Sequence, residues 1–204
     1  MKDNREYRFI PINTFELRKE GDAEPSFLVE GYASTFEPYV LFEDDGVQYK
    51  EQILPEAFDN CDMSDVIFCK DHEGTVFART RNKTLQLSVD KHGLLTRTDL
   101  SKTTSARQMY EEIETGMYDQ MSFAFVVRED SYDKETHTRT IRSIAKMYDV
   151  SAVSFPANPG TDIGVATRSY FDGVIEAERA ERLELEARLT EARNKYREVR
   201  EHGN

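Results

Sequence analysis

No stretch of this 204-residue chain is apolar for long enough to cross a bilayer. Residues 1–8, Met-Lys-Asp-Asn-Arg-Glu-Tyr-Arg, also lack the apolar core of a secretory signal. Cationic charge is short as well: 27 Lys and Arg stand against 39 Asp and Glu, for a formal net charge of -12. A surface so acidic is repelled by phosphate backbones, which argues against nucleic acid as the main partner. Cysteine is scarce. Cys61 and Cys69 are the only two, and without a secretory signal they are expected to be free thiols in a reducing cytosol. The chain is therefore expected to use neither a membrane nor nucleic acid.

What is present is a globular balance, 38% hydrophobic and 32% charged. The length allows one substantial core plus an appendage. Strand-like runs occur at residues 6–15, 27–36, 49–54, 66–70, 84–89, 93–100, 120–128, 139–148 and 150–155. Gly31, inside the second run, predicts a bulge or a close backbone approach. Residues 38–47 read as an acidic loop. Asp90-Lys-His-Gly93 predicts the turn of a hairpin. Pro55 starts a short helical turn, and residues 101–115 predict a helix, with Ala106, Met109, Tyr110 and Ile113 at helical spacing. Many strands with one or two helices point to an α+β fold, mainly an antiparallel β-barrel that is closed or nearly closed, and not to alternating βαβ units.

The composition shifts near Tyr170. We read residues 1–168 as the barrel domain and 169–204 as a charged C-terminal helix, with a hinge at 169–173. Leu185, Leu189, Ala192, Tyr196 and Val199 follow a heptad-like spacing that Glu178 and Arg182 interrupt upstream. Such a helix is either a solvated one with a single apolar stripe, or a surface for self-association or a partner.

Three short motifs hold candidate chemistry. They are Phe68-Cys-Lys-Asp-His72-Glu-Gly, Asp119-Gln-Met-Ser122-Phe-Ala-Phe and Met147-Tyr-Asp149-Val-Ser-Ala-Val-Ser. A base, a hydroxyl and a carboxylate are the parts of a serine-nucleophile triad, which is recognised by geometry and role because its chain order varies. On an alternating strand, Met121, Phe123, Phe125 and Val127 would fill the core. Ser122, Ala124 and Val126 would then present a small face open to a substrate strand. Asp149 shares a face with Ser151 and Val153. The bland alternatives are a solvent-facing serine, a surface-turn histidine and a strand-edge acid. His92 is a rival base but fits a hairpin turn better. Cys61, Cys69, Asp71 and His72 include metal-ligand types without a paired framework, so neither a metal nor a cofactor is expected.

At these residues the chain resembles the phage prohead maturation proteases. Val29-Glu-Gly-Tyr-Ala-Ser-Thr-Phe36, Ile53-Leu-Pro-Glu-Ala-Phe58, the His72 motif, Lys91-His-Gly-Leu94, Met121-Ser-Phe-Ala-Phe125 and Asp149-Val-Ser-Ala-Val-Ser-Phe-Pro-Ala-Asn-Pro159 follow in that family's order, over residues 27–166. The resemblance implies a herpesvirus assemblin-like barrel. It also implies a serine endopeptidase acting on scaffold and major capsid protein, and on itself, inside the assembling prohead in the host cytoplasm. His72 matches the family's histidine and Ser122 its serine. Asp149 matches an acidic position more often filled by Glu, and the herpesvirus relatives use a second histidine there. A catalytically silent assembly or scaffolding protein and a cytosolic hydrolase are the alternatives.

Overall fold

The computed structural model describes residues 5–9, 16–18, 27–154 and 165–202. It divides into two compact units, Met1–Gly164 and Val165–Asn204. In the first unit the strands are β1 (Glu6–Phe9), β2 (Glu16–Arg18), β3 (Leu28–Thr35), β4 (Tyr39–Asp44), β5 (Val47–Ile53), β6 (Ile67–Lys70), β7 (Glu73–Arg79), β8 (Leu85–Val89) and β9 (Gly93–Asp99). Helix α1 (Thr104–Glu114) then precedes the long strands β10 (Gln120–Asp133) and β11 (Thr138–Val153). The second unit is α2 (Val165–His202). The fold is α+β, with strands dominating.

Among the described residues the strands form two sheets. One has seven strands along the path β1-β10-β11-β5-β4, with β6 pairing both β11 and β7. The other runs β2-β3-β9-β8. Most pairings are antiparallel, but β11 takes two parallel partners at different heights. Its first residues pair with β5, and Asp149–Ala152 pair with Ile67–Lys70 of β6. Residues from both sheets and from α1 meet in one core, including Val29, Leu94, Phe123, Phe125, Met147 and Met109.

Several local expectations hold and several shift. The 84–100 hairpin forms, with Asp90 Oδ1 accepting the backbone N–H groups of His92 and Gly93. Thr103 caps α1 by accepting the Ala106 N–H at 3.0 Å. The acidic segment 38–47 is not a loop but the hairpin β4–β5. Asp45 and Gly46, both at positive φ, make the two-residue turn that twisted strands favour. The irregularity in β3 falls between Tyr32 and Ser34 and not at Gly31. The close approach is across the ladder at Gly93, where a Cβ would sit 1.9 Å from the Ser34 carbonyl oxygen. Residues 139–155 do not break at Asp149, since β11 runs through it. Residues 169–173 lie within α2, which is continuous through Gly173. The motif Phe155–Pro159 lies outside the described residues.

β1 is fixed from the core side by charge. Arg8 is 2% exposed and pairs through Nε and Nη2 with both oxygens of the fully buried Glu51, and through Nη2 with Glu6 at 2.5 Å. Arg139 donates to Glu6 at 2.7 and 3.0 Å and to Asp130 at 2.5 Å. Tyr39 donates to Glu51. Buried charge survives only when so paired, and removing one partner strands the other. Arg8→Ala should therefore cost about 3–5 kcal/mol, read as a lower urea midpoint.

The same network sets an acid limit. Burial pushes the Glu6 carboxyl up, but Arg8 and Arg139 outweigh burial and hold it at about 2. A carboxylate depressed in the folded state contributes stability above its ordinary value, here 4.5, and loses that contribution as pH falls toward 2. Unfolding free energy should decline across that window, and Glu6→Gln should flatten the decline. An unchanged acid profile in Glu6→Gln would contradict this account.

Candidate active site

β11 brings the three candidate residues together. It lies between β10, which carries Ser122, and β6, which leads into His72. In register, Ser122 faces Ser151 and Ala124 faces Asp149 across the β10–β11 ladder. Asp149 and Ser151 are two apart and share a face. On the other side of β11, the β6–β7 hairpin turns tightly at Asp71 and His72, because Lys70 pairs directly with Glu73. Both turn residues have positive φ, 49° and 61°. For residues bearing a Cβ that conformation is unfavourable, and it persists only where surroundings impose it. Two bonds to β11 do so. The Asp71 N–H donates to the Ala152 carbonyl at 3.1 Å, and the His72 N–H donates to Ser151 Oγ at 3.2 Å.

The turn aims the imidazole at both partners. His72 Nδ1 is 2.6 Å from Asp149 Oδ1, and Nε2 is 2.6 Å from Ser122 Oγ. An ionised carboxylate only accepts, so Nδ1 carries the proton and Nε2 is left to accept from the Ser122 hydroxyl. The Ser122 hydroxyl also donates to the Arg8 carbonyl oxygen at 2.9 Å, so its single proton is shared between that oxygen and Nε2. Side-chain exposure is 18% at His72 and 7% at Asp149, so the pair is shielded from most solvent screening. The Tyr7 ring stands edge-on to the imidazole, with centroids 4.7 Å apart.

The small face of β10 is not open as expected. Ser122 and Ala124 are buried, like Met121, Phe123 and Phe125 on the opposite face. Ser151, Tyr7 and the Arg8 carbonyl also escaped sequence reasoning as site groups. The two-residue spacing from Asp149 was a usable signal for Ser151. None existed for Tyr7 and Arg8, which arrive through a pairing with β10 more than a hundred residues away. His92 stays in its hairpin turn, with its ring against Tyr32.

Among the described residues no group of three or more His, Cys, Asp or Glu side chains is disposed to hold an ion. Cys69 Sγ instead lies 3.1 Å from Ser151 Oγ. A cavity of about 460 Å³ adjoins the His72 turn, lined by Lys70, Asp71, Glu73, Phe77, Met109 and Glu112. Lys70 reaches across it to Glu112 at 3.2 Å.

Hydroxyl, imidazole and carboxylate stand in series, the arrangement that serine hydrolases use. Over residues 13–173 the chain matches the family model of the caudovirus prohead serine proteases. The chain belongs to that family, and is thereby a phage serine protease of prohead maturation. No curated protein and no solved structure gives a significant match.

Both thiols are pushed up to about 11, chiefly by burial. The thiolate is the reactive form. At pH 8 neither cysteine should react quickly with iodoacetamide in the folded protein, and both should once it is unfolded. Rapid native-state alkylation of Cys69 would show the buried face of β11 to be open.

Proposed function

We propose that the chain is a serine endopeptidase of the Ser-His-acid type, with Ser122 as nucleophile, His72 as general base and then acid, and Asp149 as the residue that orients His72. The observation that carries this reading is the pair of 2.6 Å contacts from the two imidazole nitrogens to Ser122 and Asp149. Ser122 Oγ attacks the carbonyl carbon of the scissile peptide as His72 Nε2 takes its proton. The C–N bond then breaks, and His72 returns that proton to the departing amine. Water, deprotonated by the same imidazole, attacks the acyl carbon; the C–Oγ bond breaks and His72 returns the proton to Ser122 Oγ. Asp149 holds Nδ1–H throughout and stabilises the imidazolium.

Family membership supports scaffold and major capsid protein segments as substrates, together with the chain's own termini, cut inside the prohead in the host cytoplasm. A silent assembly protein would have no need of the aligned trio, and a general cytosolic hydrolase fits the family less well. One core shared by both sheets also supports an assemblin-like barrel wrapped around it.

Ser122→Ala should abolish processing, on the order of 10⁶-fold in rate, while the protein still folds. His72→Ala should be as damaging and the double variant little worse, because such residues act as a unit. Asp149→Asn should retain more. The measurements are cleavage of scaffold and capsid protein on a gel beside thermal melts. Processing by purified Ser122→Ala, or loss of activity in His92→Ala but not in His72→Ala, would sink the assignment.

We assign the C-terminal helix to delivery and not to catalysis. Leu185, Leu189 and Tyr196 are exposed on α2 and fall on one stripe, available to scaffold, to coat or to a second copy. The family match ends at residue 173, so the informative cut lies after Gly173. That truncation should leave a folded, active protease that enters proheads poorly, measured by peptide cleavage, melting and co-sedimentation. Unchanged incorporation would remove this role.

A further inference from the structure

Ser151 is fully buried beside the trio and has more polar neighbours than one hydroxyl can serve with its single proton and two lone pairs. Its Oγ lies 2.8 Å from Asp149 Oδ1, 3.2 Å from the His72 backbone nitrogen, 3.2 Å from His72 Nδ1 and 3.1 Å from Cys69 Sγ. The roles can be assigned by elimination. The Asp149 carboxylate only accepts, so it receives the Ser151 proton. The His72 N–H only donates, so it takes one lone pair. The Cys69 thiol keeps its proton and donates weakly to the other. Nδ1–H is already bound to Asp149 at 2.6 Å and stands 3.2 Å from Ser151 Oγ, whose lone pairs are then both taken.

We propose that Ser151 is a positioning residue that sets both the aim and the proton affinity of His72. The inference rests on the triad reading above and extends it. Aim follows from the backbone bond, because His72 sits at φ 61° and its N–H is tied to Ser151 Oγ. Without that acceptor a part-buried N–H loses its partner and the turn has less reason to stay in the left-handed region. Proton affinity follows from the side-chain bond. A carboxylate that accepts a hydroxyl proton has part of its charge neutralised, so it holds an imidazolium less tightly. Removing the Ser151 hydroxyl returns that charge to His72, which becomes the stronger base and stays protonated to higher pH.

The titratable groups around the site are Asp149 from β11 and Tyr7 from β1, both against the imidazole, Cys69 from β6, against Ser151, and Asp71, next to His72 in the turn. Among them Asp149 alone bonds both to Ser151 and to the ring, so the coupling runs through it. A serine that only fastened β11 to β6 would affect stability and leave the proton affinity of His72 alone.

The test uses the full chain with Ser151→Ala, Ser151→Thr and the near-isosteric Ser151→Cys. The probe is a fluorophosphonate that labels a serine activated by its histidine, and the rate is followed against pH. Ser151→Ala should label about tenfold more slowly at neutral pH. Its acid limb should move up by about half a pH unit or more. Ser151→Thr, which keeps the hydroxyl, should restore both, and Ser151→Cys should fall between. The His72 ring titration, followed by NMR in a Ser122→Ala background, should move up with Ser151→Ala to match. A folded Ser151→Ala or Ser151→Cys protein with the wild-type limb and the wild-type His72 titration overturns the proposal. Labelling that survives Ser122→Ala would instead overturn the triad reading, and the NMR titration separates the two failures.

Discussion

The ladder of β11 is the constraint on which the site depends. This strand bonds β10 along most of its length on one side, and β5 and then β6 on the other. Ser122 arrives from β10, His72 from the turn after β6, and Asp149 and Ser151 stand on β11 itself. A one-residue slip in either ladder would turn a side chain to the opposite face and separate the trio. The parallel β6–β11 pairing matters most, because its last rung, Ala152 with Lys70, leaves the turn only one residue further to travel. Residues 77 and 50 positions apart from His72 in sequence thereby come within hydrogen-bond reach of it.

Two polar systems lie on opposite faces of the same strands. Above the sheet is the chain of Asp149, His72 and Ser122, kept sparse and aimed. Beneath β1 is the charged group of Glu6, Arg8, Glu51 and Arg139, densely paired and sealed. Alternation along β1 separates them: Tyr7 turns toward the imidazole while Glu6 and Arg8 turn inward. The ion network fixes the backbone of β1, and that backbone presents the Arg8 carbonyl to Ser122. A rigid support under a strained, aimed side chain is what a precise catalytic geometry requires.

Much of this was legible in the sequence because it was local. The helix at 101–115, the Asp90–Gly93 turn, Pro55 at a helical start and the aromatic alternation around Phe123 each follow from residues within a few positions. What was not legible depended on pairing at a distance or on competition between local signals. The Asp45-Gly46 hairpin was obscured by the surrounding acids, although a two-residue Asp-Gly turn is the stronger cue. Asp149 reads as a strand breaker because Asp is poor in strands, yet its carboxylate is satisfied by His72 and Ser151 and the strand continues. β7 was missed because Glu73-Gly-Thr has no apolar alternation; it forms because the turn delivers it to β6. The cover over Ser122 could not be read at all, since β1 reaches β10 across the whole domain.

Ser122 is interior to its sheet, and under the proposed assignment that constrains how a target polypeptide would reach it. At this rung β10 is already in register with Phe9 on one side and Ser151 on the other. A protease that lays its substrate as an additional strand beside the nucleophile needs a vacant edge, and β10 has none here while β1 is seated. On the assignment of Ser122 proposed above, a scissile segment would come onto the face of the sheet that carries Tyr7 and the imidazole, and would take its backbone hydrogen bonds from groups outside the β10 ladder. Such a face-on entry favours extended, unstructured tails over segments already folded into a domain.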